Sequence, residues 1–414
     1  MKRLATSIVA LLLASVVIAP YSLAAIKPGS ACKKAGLISV ESGRKFTCVK
    51  QGKKFVWDKG VVVKTKPANV PAPVTTPTST PSPTATTPVV PTSFADLWEK
   101  RAGISYASWS SAVTAMSKNP SSLPPIEIFR GPNTPTYSTD AALKTALEDV
   151  SKLYSGTPMP KKIQFFIYSR ADLEWGIAKA KAEMGAEYQN AIDAHGGPLI
   201  KCNVPDDCND GDAFVGSNSV AYLAQGISIK PNELVLANYK SLWGETCEFY
   251  HSLQEYFYEL NGSKQKSNGI LNPPNKPPHW LNVGGENLTS AFIRYKGDFQ
   301  GYRSLWLGNT GWINSLGYDF NSKWIDDYLS ITNLNNMWSN NRFGPPSTNA
   351  TLMGHYITDI LVAIKGPPVL LEFHKQMSAG ASFEKVFQDV YGITWAEASP
   401  IISRVILDAY KNSN

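Results

Sequence analysis

A short stretch in the middle of the chain contains the residues whose spacing best predicts chemistry. Residues 244–254 read GETCEFYHSLQ. On a helix, two histidines four residues apart bind one metal ion, and a glutamate next to the first histidine activates the metal-bound water. Glu248 and His251 occupy two of these three positions, but Cys247 replaces the first histidine. The stretch therefore predicts a metal site that is altered, inactive or absent.

Other interpretations of the same residues stay open. Cys247 and His251 lie one helical turn apart, which would suit a cysteine nucleophile, although no oxyanion donor or third orienting group is identifiable. Without a metal, Glu248 is expected to pair with a cation or a hydrogen-bond donor, or to stay protonated. His279 and His355 either border the same cleft or are satisfied core residues.

The elements that must position this stretch are alternating strands and helices at first, and mostly helices after it. We predict strands at 125–129, 162–167, 219–223 and 233–238, and helices at 140–153 and 171–187. A helix over 239–260 carries the stretch itself. Further helices are predicted from His279 onward and at 352–364, 369–377, 383–390 and 395–410. Strands followed by helices favour an α+β body.

The residues after the stretch carry a family resemblance. Trp280, Leu281, Asn282, Val283, Gly284 and Gly285 follow about thirty residues later, and Tyr391-Gly392-Ile393-Thr394 closes the helical tail. This order resembles the gluzincin metallopeptidases, the thermolysin-like clan also called peptidase MA. The resemblance covers most of residues 94–414 and implies a gluzincin-like body. It also implies a peptide or protein ligand in the cleft.

The same resemblance assigns the site residues unevenly. Glu248 matches the general base and His251 the second zinc ligand, while Cys247 stands at the first ligand position. Val283 stands where the third ligand, a glutamate, belongs, and its side chain cannot bind metal. Glu286 lies three residues later on the same helix face, displaced by roughly 4.5 Å along the axis.

Two functions follow from this assignment. We expect a catalytically inactive binding domain without a cofactor, because a zinc site needs three protein ligands. The alternative is an active zinc metallopeptidase that uses Cys247, His251 and Glu286 as ligands and Glu248 as general base.

The remaining chain predicts an exported protein. Lys2 and Arg3, an apolar run and a Ser-Leu-Ala site indicate a signal peptide over 1–25, and no later run is long enough to span a membrane. Residues 26–66 form a small module, and the Pro/Thr-rich segment 67–93 is a disordered linker. We therefore expect a secreted, extracellular or wall-associated protein.

Charge is distributed unevenly along the chain. Residues 1–66 carry 13 Lys/Arg and 2 Asp/Glu, a net charge of +11, whereas the remainder carries 27 and 31, a net charge of −4. The acidic body argues against nucleic-acid binding. The basic module 26–66 could bind an anionic cell-wall polymer or simply present a solubilising surface.

The five cysteines sort by spacing into two pairs and one free thiol. Cys32 with Cys48 would staple the small module, which is too short to fold on its own core, and Cys202 with Cys208 would tie a loop rich in aspartate. That loop lacks the ordered ligands of a calcium loop, so a solvated loop is favoured over calcium binding. Cys247 remains free at the possible metal position.

Overall fold

The computed structural model describes residues 28–32, 38–41, 44–52, 54–62, 88–118, 123–195, 197–202, 207–262, 277–305, 320–330 and 346–412. The chain divides into two compact units, residues 1–84 and 85–414. The predicted signal peptide and residues 67–87 of the predicted linker lie outside the described residues. No helix in the described part of the chain is both long and apolar enough to cross a membrane.

The first unit is built around one antiparallel strand. Strand β2 (Arg44–Gln51) pairs with β1 (Ile38–Glu41), β3 (Lys54–Trp57) and β4 (Val61–Val62). Phe46 and Cys48 are its buried residues, and Cys48 forms a disulfide with Cys32. The predicted disulfide-bonded β module is therefore confirmed.

The second unit contains a mixed four-stranded sheet in the order β5-β6-β8-β7. Its strands are β5 (Ile126–Arg130), β6 (Lys162–Ser169), β7 (Gly211–Val215) and β8 (Val220–Ile227). β5, β6 and β8 run parallel, whereas β7 pairs antiparallel with β8 and comes last in the order. β7 was not predicted, because it lies directly after the aspartate-rich loop and is only five residues long.

Helices connect and follow these strands, so the mixed α+β class is confirmed. Among the described residues, α1 precedes the sheet, α2 to α4 lie between its strands, and eight more follow it: α1 (Ile104–Met116), α2 (Asp140–Leu153), α3 (Leu173–Met184), α4 (Glu187–His195), α5 (Glu233–Ser241), α6 (Trp243–Leu260), α7 (His279–Arg294), α8 (Ser322–Leu329), α9 (Pro346–Lys365), α10 (Val369–Ser378), α11 (Phe383–Tyr391) and α12 (Trp395–Asn412).

The predicted strand at 233–238 is wrong, because these residues form α5. The Asn232 side chain accepts a hydrogen bond from the Val235 amide at 2.9 Å, a helix N-cap that overrides the apolar pattern of the segment. The single helix predicted over 239–260 is also wrong. Leu242 adopts a left-handed conformation with φ 58° and separates α5 from α6.

Two glycines set the distance between α7 and α9. A Cβ on Gly284 would lie 2.5 Å from the backbone of Gly354, and a Cβ on Gly354 would lie 2.5 Å from the carbonyl oxygen of Trp280. The helices therefore cross with their backbones in contact, which only glycine permits. This crossing fixes the position of α7 and of the residues that α7 presents to α6.

Candidate functional site

Helix α6 lies between the sheet and α7, and its polar residues divide between these two neighbours. Phe249, Tyr250 and Leu253 are fully buried and anchor the helix in the core. Cys247, His251 and Gln254 contact α7, whereas Gly244 and Glu248 contact the strands β7 and β8. The metal-site motif predicted on one helix is therefore distributed over two contacts.

His251 is held by carboxylates on both ring nitrogens. Its Nδ1 lies 3.2 Å from Glu286 Oε1 and 3.2 Å from Gln254 Oε1, and its Nε2 lies 3.3 Å from Glu255 Oε1. Burial alone would lower the pKa of His251, but the hydrogen bonds to Glu255 and Glu286 raise that pKa well above 6.5. His251 is therefore an imidazolium that donates from both nitrogens.

Glu255 was missed by the sequence analysis. The residue is 5% exposed, and its second carboxylate oxygen accepts a hydrogen bond from the Val215 amide of β7 at 3.1 Å. The spacing of His251 and Glu255, four residues apart on one helix, is the signal that could have found this pair. Glu255 links His251 to the last strand in the sheet order.

Gln254 extends the network into the core. Its amide nitrogen lies 3.2 Å from the Asn282 carbonyl oxygen and 3.2 Å from Nε2 of His374, a fully buried residue of α10. Burial, reinforced by the charge on His251, lowers the pKa of His374 to about 3. His374 is therefore neutral and accepts a hydrogen bond from Gln254 through Nε2.

Cys247 remains a free cysteine, and its thiol faces α7. The Sγ atom lies 3.2 Å from Ser290 Oγ and 3.6 Å from the carbonyl oxygen of Glu286. Burial, and then the negative charge of Glu286, raises the pKa of Cys247 well above that of an ordinary thiol. A protonated thiol in this setting disfavours the cysteine-nucleophile interpretation, which needs a thiolate.

Glu248 faces the sheet and lies against Gly211 of β7. A Cβ on Gly211 would be only 2.1 Å from Glu248 Oε1, so glycine makes room for the carboxyl group. Burial raises the pKa of Glu248 well above 4.5; His251 opposes this shift, whereas Glu286, Asp212 and Asp210 add to it. No hydrogen-bond donor of the described chain reaches this carboxyl group.

The aspartate-rich loop is brought to the same place. The Cys202–Cys208 disulfide predicted from spacing is present, and Asp210 and Asp212 flank the Gly211 that lies against Glu248. Lys201 pairs with Asp212 at 2.9 Å. A solvated loop is predicted here, and Asp206 of that loop lies outside the described residues. The segment that follows the loop thus lies beside the Glu248 end of the α6 motif.

The other residues named in the prediction, Val283, His279 and His355, have no contact with Glu248 or His251 among those described above. Val283 lies one turn before Glu286 on α7, and its carbonyl oxygen accepts from Asn287 at 2.8 Å. His279 and His355 are both buried, and burial lowers the pKa of His355 to about 4.

The residues at the site do not fit a zinc ion as they stand. Glu286 and His251 meet, but both ring nitrogens of His251 face carboxylates, Cys247 Sγ is directed at Ser290 Oγ, and the Val283 side chain offers no donor atom. Among the residues described by the structure, no group of three His, Cys, Asp or Glu side chains is arranged to hold a metal ion.

No family model matches the chain, and comparison with curated proteins and with solved structures finds no similar protein.

Proposed function

We propose that this chain is a secreted, wall-associated protein whose metallopeptidase-like body binds a peptide or protein ligand without cleaving it. The binding site comprises the α6 residues Glu248 and His251, with Glu286 of α7 and Gly211 of β7. His251 is 23% exposed and Glu286 20% exposed, so the site is accessible to a ligand.

The observation that carries this proposal is the environment of His251. Both ring nitrogens donate to carboxylates, at 3.2 Å to Glu286 and 3.3 Å to Glu255. A zinc ligand must be neutral imidazole with a bare nitrogen. The two carboxylates instead stabilise the protonated ring. Such an arrangement suits a charged binding site better than a zinc site that activates water.

Zinc content tests the inactive character of the site. The mature chain, starting at residue 26 and carrying no metal-binding tag, is incubated with zinc, dialysed and subjected to elemental analysis. We expect far less than one zinc per chain. Near-stoichiometric zinc that is lost in Cys247→Ala would overturn the proposal.

A repair variant tests the assignment of the ligand positions. If the resemblance to gluzincins places the ligands correctly, Cys247→His combined with Val283→Glu should create zinc binding near one ion per chain. Each single variant is the matched control and should bind less. A folded double variant that binds no zinc would show that Val283 is not the third ligand position.

Ligand binding itself is tested on purified peptidoglycan and on a peptide library. We expect saturable binding that Glu286→Gln weakens by about tenfold, since this change removes the charge that holds His251. If the mature chain binds neither material, the binding function is wrong.

The alternative is an active zinc metallopeptidase with Cys247, His251 and Glu286 as ligands and Glu248 as general base. One observation favours it, because Glu286 reaches His251 although it lies one turn beyond the position that the family motif predicts. Zinc-dependent peptide hydrolysis that is lost in Glu248→Gln would select this alternative.

The small unit provides the proposed attachment to the wall. Its net positive charge would attract an anionic polymer, and such attraction is screened by salt. Binding of the mature chain to wall material should weaken steeply between low and high salt, and a chain lacking residues 26–66 should lose this component. Salt-independent binding would contradict the attachment role.

A further inference from the structure

The contact between α6 and the sheet contains two side chains that interlock over two glycines. Gly211 and Gln225 are directly paired residues of β7 and β8, so they share one face of the sheet. Gly244 and Glu248 are one turn apart on α6. A Cβ on Gly211 would lie 2.1 Å from Glu248 Oε1, and a Cβ on Gly244 would lie 2.3 Å from Gln225 Oε1. Each long side chain thus fills the space over the glycine of the opposite element.

Gln225 presents an unpartnered oxygen to this contact. The residue is 4% exposed, and its Nε2 donates to the carbonyl oxygens of Asp210 at 3.1 Å and Gly226 at 2.9 Å. These two acceptors fix the orientation of the amide group, since a flipped amide would place oxygen against oxygen. Oε1 is left buried without a hydrogen-bond donor. A buried acceptor of this kind destabilises the folded protein unless a donor reaches it.

The surrounding charges indicate what that donor is. Asp210 and Asp212 flank the Gly211 that lies against Glu248, so three carboxylates belong to this part of the contact. The nearby cations are already engaged, because Lys201 pairs with Asp212 and His251 donates to Glu255 and Glu286. The contact formed by Gly211, Gln225, Gly244 and Glu248, called the pocket below, therefore presents two acceptors, and no hydrogen bond from a cation of the described residues reaches Glu248 or Gln225 Oε1.

We propose that this pocket binds the primary ammonium group of a peptide ligand, with the Glu248 carboxylate and the Gln225 side-chain oxygen as its acceptors. An ammonium group has three donors and no acceptor, and it is compact enough to lie between two acceptors of one contact. Glu248 is half-buried whereas Gln225 is buried, so we infer that a lysine side chain would approach from the Glu248 side. This assignment rests on the proposed binding function and names the chemical class of its ligand.

The test uses isothermal titration calorimetry on the mature chain with two probes of equal length. One probe is acetyl-Ala-Lys-Ala-amide, and the other contains acetyl-lysine in place of lysine, which removes the charge and two donors. We expect saturable binding of the lysine probe and at least tenfold weaker binding of the acetylated probe. The affinity for the lysine probe should also fall with rising salt.

Variants connect the binding to the pocket. Glu248→Gln preserves the shape of the side chain and removes its charge, and should weaken the lysine probe by about tenfold. Gln225→Met removes the unpartnered oxygen at similar volume and should weaken it about fivefold. Glu372→Gln is the matched control, because Glu372 is an exposed carboxylate of α10 that pairs with Lys375, and it should change nothing. Circular dichroism checks that each variant is folded.

Three results would overturn the assignment: no saturable binding of the lysine probe, equal binding of both probes, or unchanged affinity in a folded Glu248→Gln variant. If these occur while neutral library peptides still bind and Glu286→Gln still weakens them, the ammonium pocket is wrong and the proposed binding function stands. If no peptide binds at all, the proposed function itself fails.

Discussion

The two sides of α6 contrast in how their polar groups are satisfied. On the α7 side, His251 donates to two carboxylates, and Gln254 bonds to His251, Asn282 and His374. On the sheet side, Glu248 meets no donor of the described chain, and the Gln225 oxygen is buried without a partner. The α7 side, here called the closed side, is thus a connected network in which both nitrogens of His251 are engaged, although Asn282 Oδ1 and His374 Nδ1 at its far end have no partner among the described residues. The sheet side, here called the open side, presents the Glu248 carboxyl group and the Gln225 oxygen without donors from the described chain.

This difference distinguishes what the two sides contribute. The connected network stabilises one arrangement of the helices and fixes the positions of His251 and Glu286. Buried acceptors without donors destabilise the free protein and become favourable only when a donor binds. The motif residue that resembles a metal ligand, His251, therefore contributes to the closed side, and the residue that resembles the general base, Glu248, contributes to the open side.

The largest expected effect on stability comes from displacing α7, which carries the Glu286 partner of His251 on the closed side. Gly284→Ala places a Cβ 2.5 Å from the backbone of Gly354, which cannot move aside as a side chain can. We expect the free energy of unfolding to fall by about 3 kcal/mol, measured by urea denaturation. Gly297→Ala is the control, because a Cβ there meets no atom within 4 Å. Equal stability of the two variants would contradict the close helix crossing.

A smaller effect is expected when the centre of the closed side is removed. His251→Gln should lower the free energy of unfolding by about 2 kcal/mol at acidic pH, because charged hydrogen bonds to Glu255 and Glu286 are lost. The folded pKa of His251 is raised, so its stabilising contribution is complete below pH 6.5 and is lost as the pH rises through the folded pKa.

Denaturation of wild type and His251→Gln across pH measures this dependence. The stability difference should shrink toward alkaline pH. A difference that stays constant with pH would mean that His251 is neutral in the folded protein.

The smallest effect has the opposite sign and belongs to the open side. The folded pKa of Glu248 is also raised, but for an acid this means that ionisation opposes folding at pH values above 4.5. Glu248→Gln should therefore stabilise the ligand-free protein by about 1 kcal/mol at neutral pH. The gain should disappear below pH 4.5, where the carboxyl group is protonated in both states.

The same urea titrations at pH 4 and pH 7 measure this gain, with Glu372→Gln as the exposed control that should stay within about 0.5 kcal/mol of wild type. A destabilised Glu248→Gln variant at pH 7 would mean that Glu248 has a cationic partner in the free protein. In that case the contrast between the two sides of α6 would be lost.

Local patterns predicted much of the fold. The apolar face of residues 140–153 predicted α2 to the residue, and the helices of the tail lie within a few residues of their predicted limits, apart from the start of α9. The segment 233–238 was misassigned because its apolar residues suit a strand, whereas the Asn232 cap and the first turn that it stabilises decide for a helix. A prediction from apolar residues alone does not take such a capping hydrogen bond into account.

By itself, the sequence determined the helical period of α6 and the places of Glu248 and His251 one turn apart on it, and the cysteine spacing predicted the two disulfide pairs that the structure contains. Only the tertiary structure decided which neighbour each residue meets. Strand β7 places Gly211 against Glu248, and the crossing of Gly284 with Gly354 places Glu286 at His251. Each of these contacts joins two different elements, and its residues are 35 or more positions apart in the chain. Their polar partners follow from packing geometry, which no local spacing encodes.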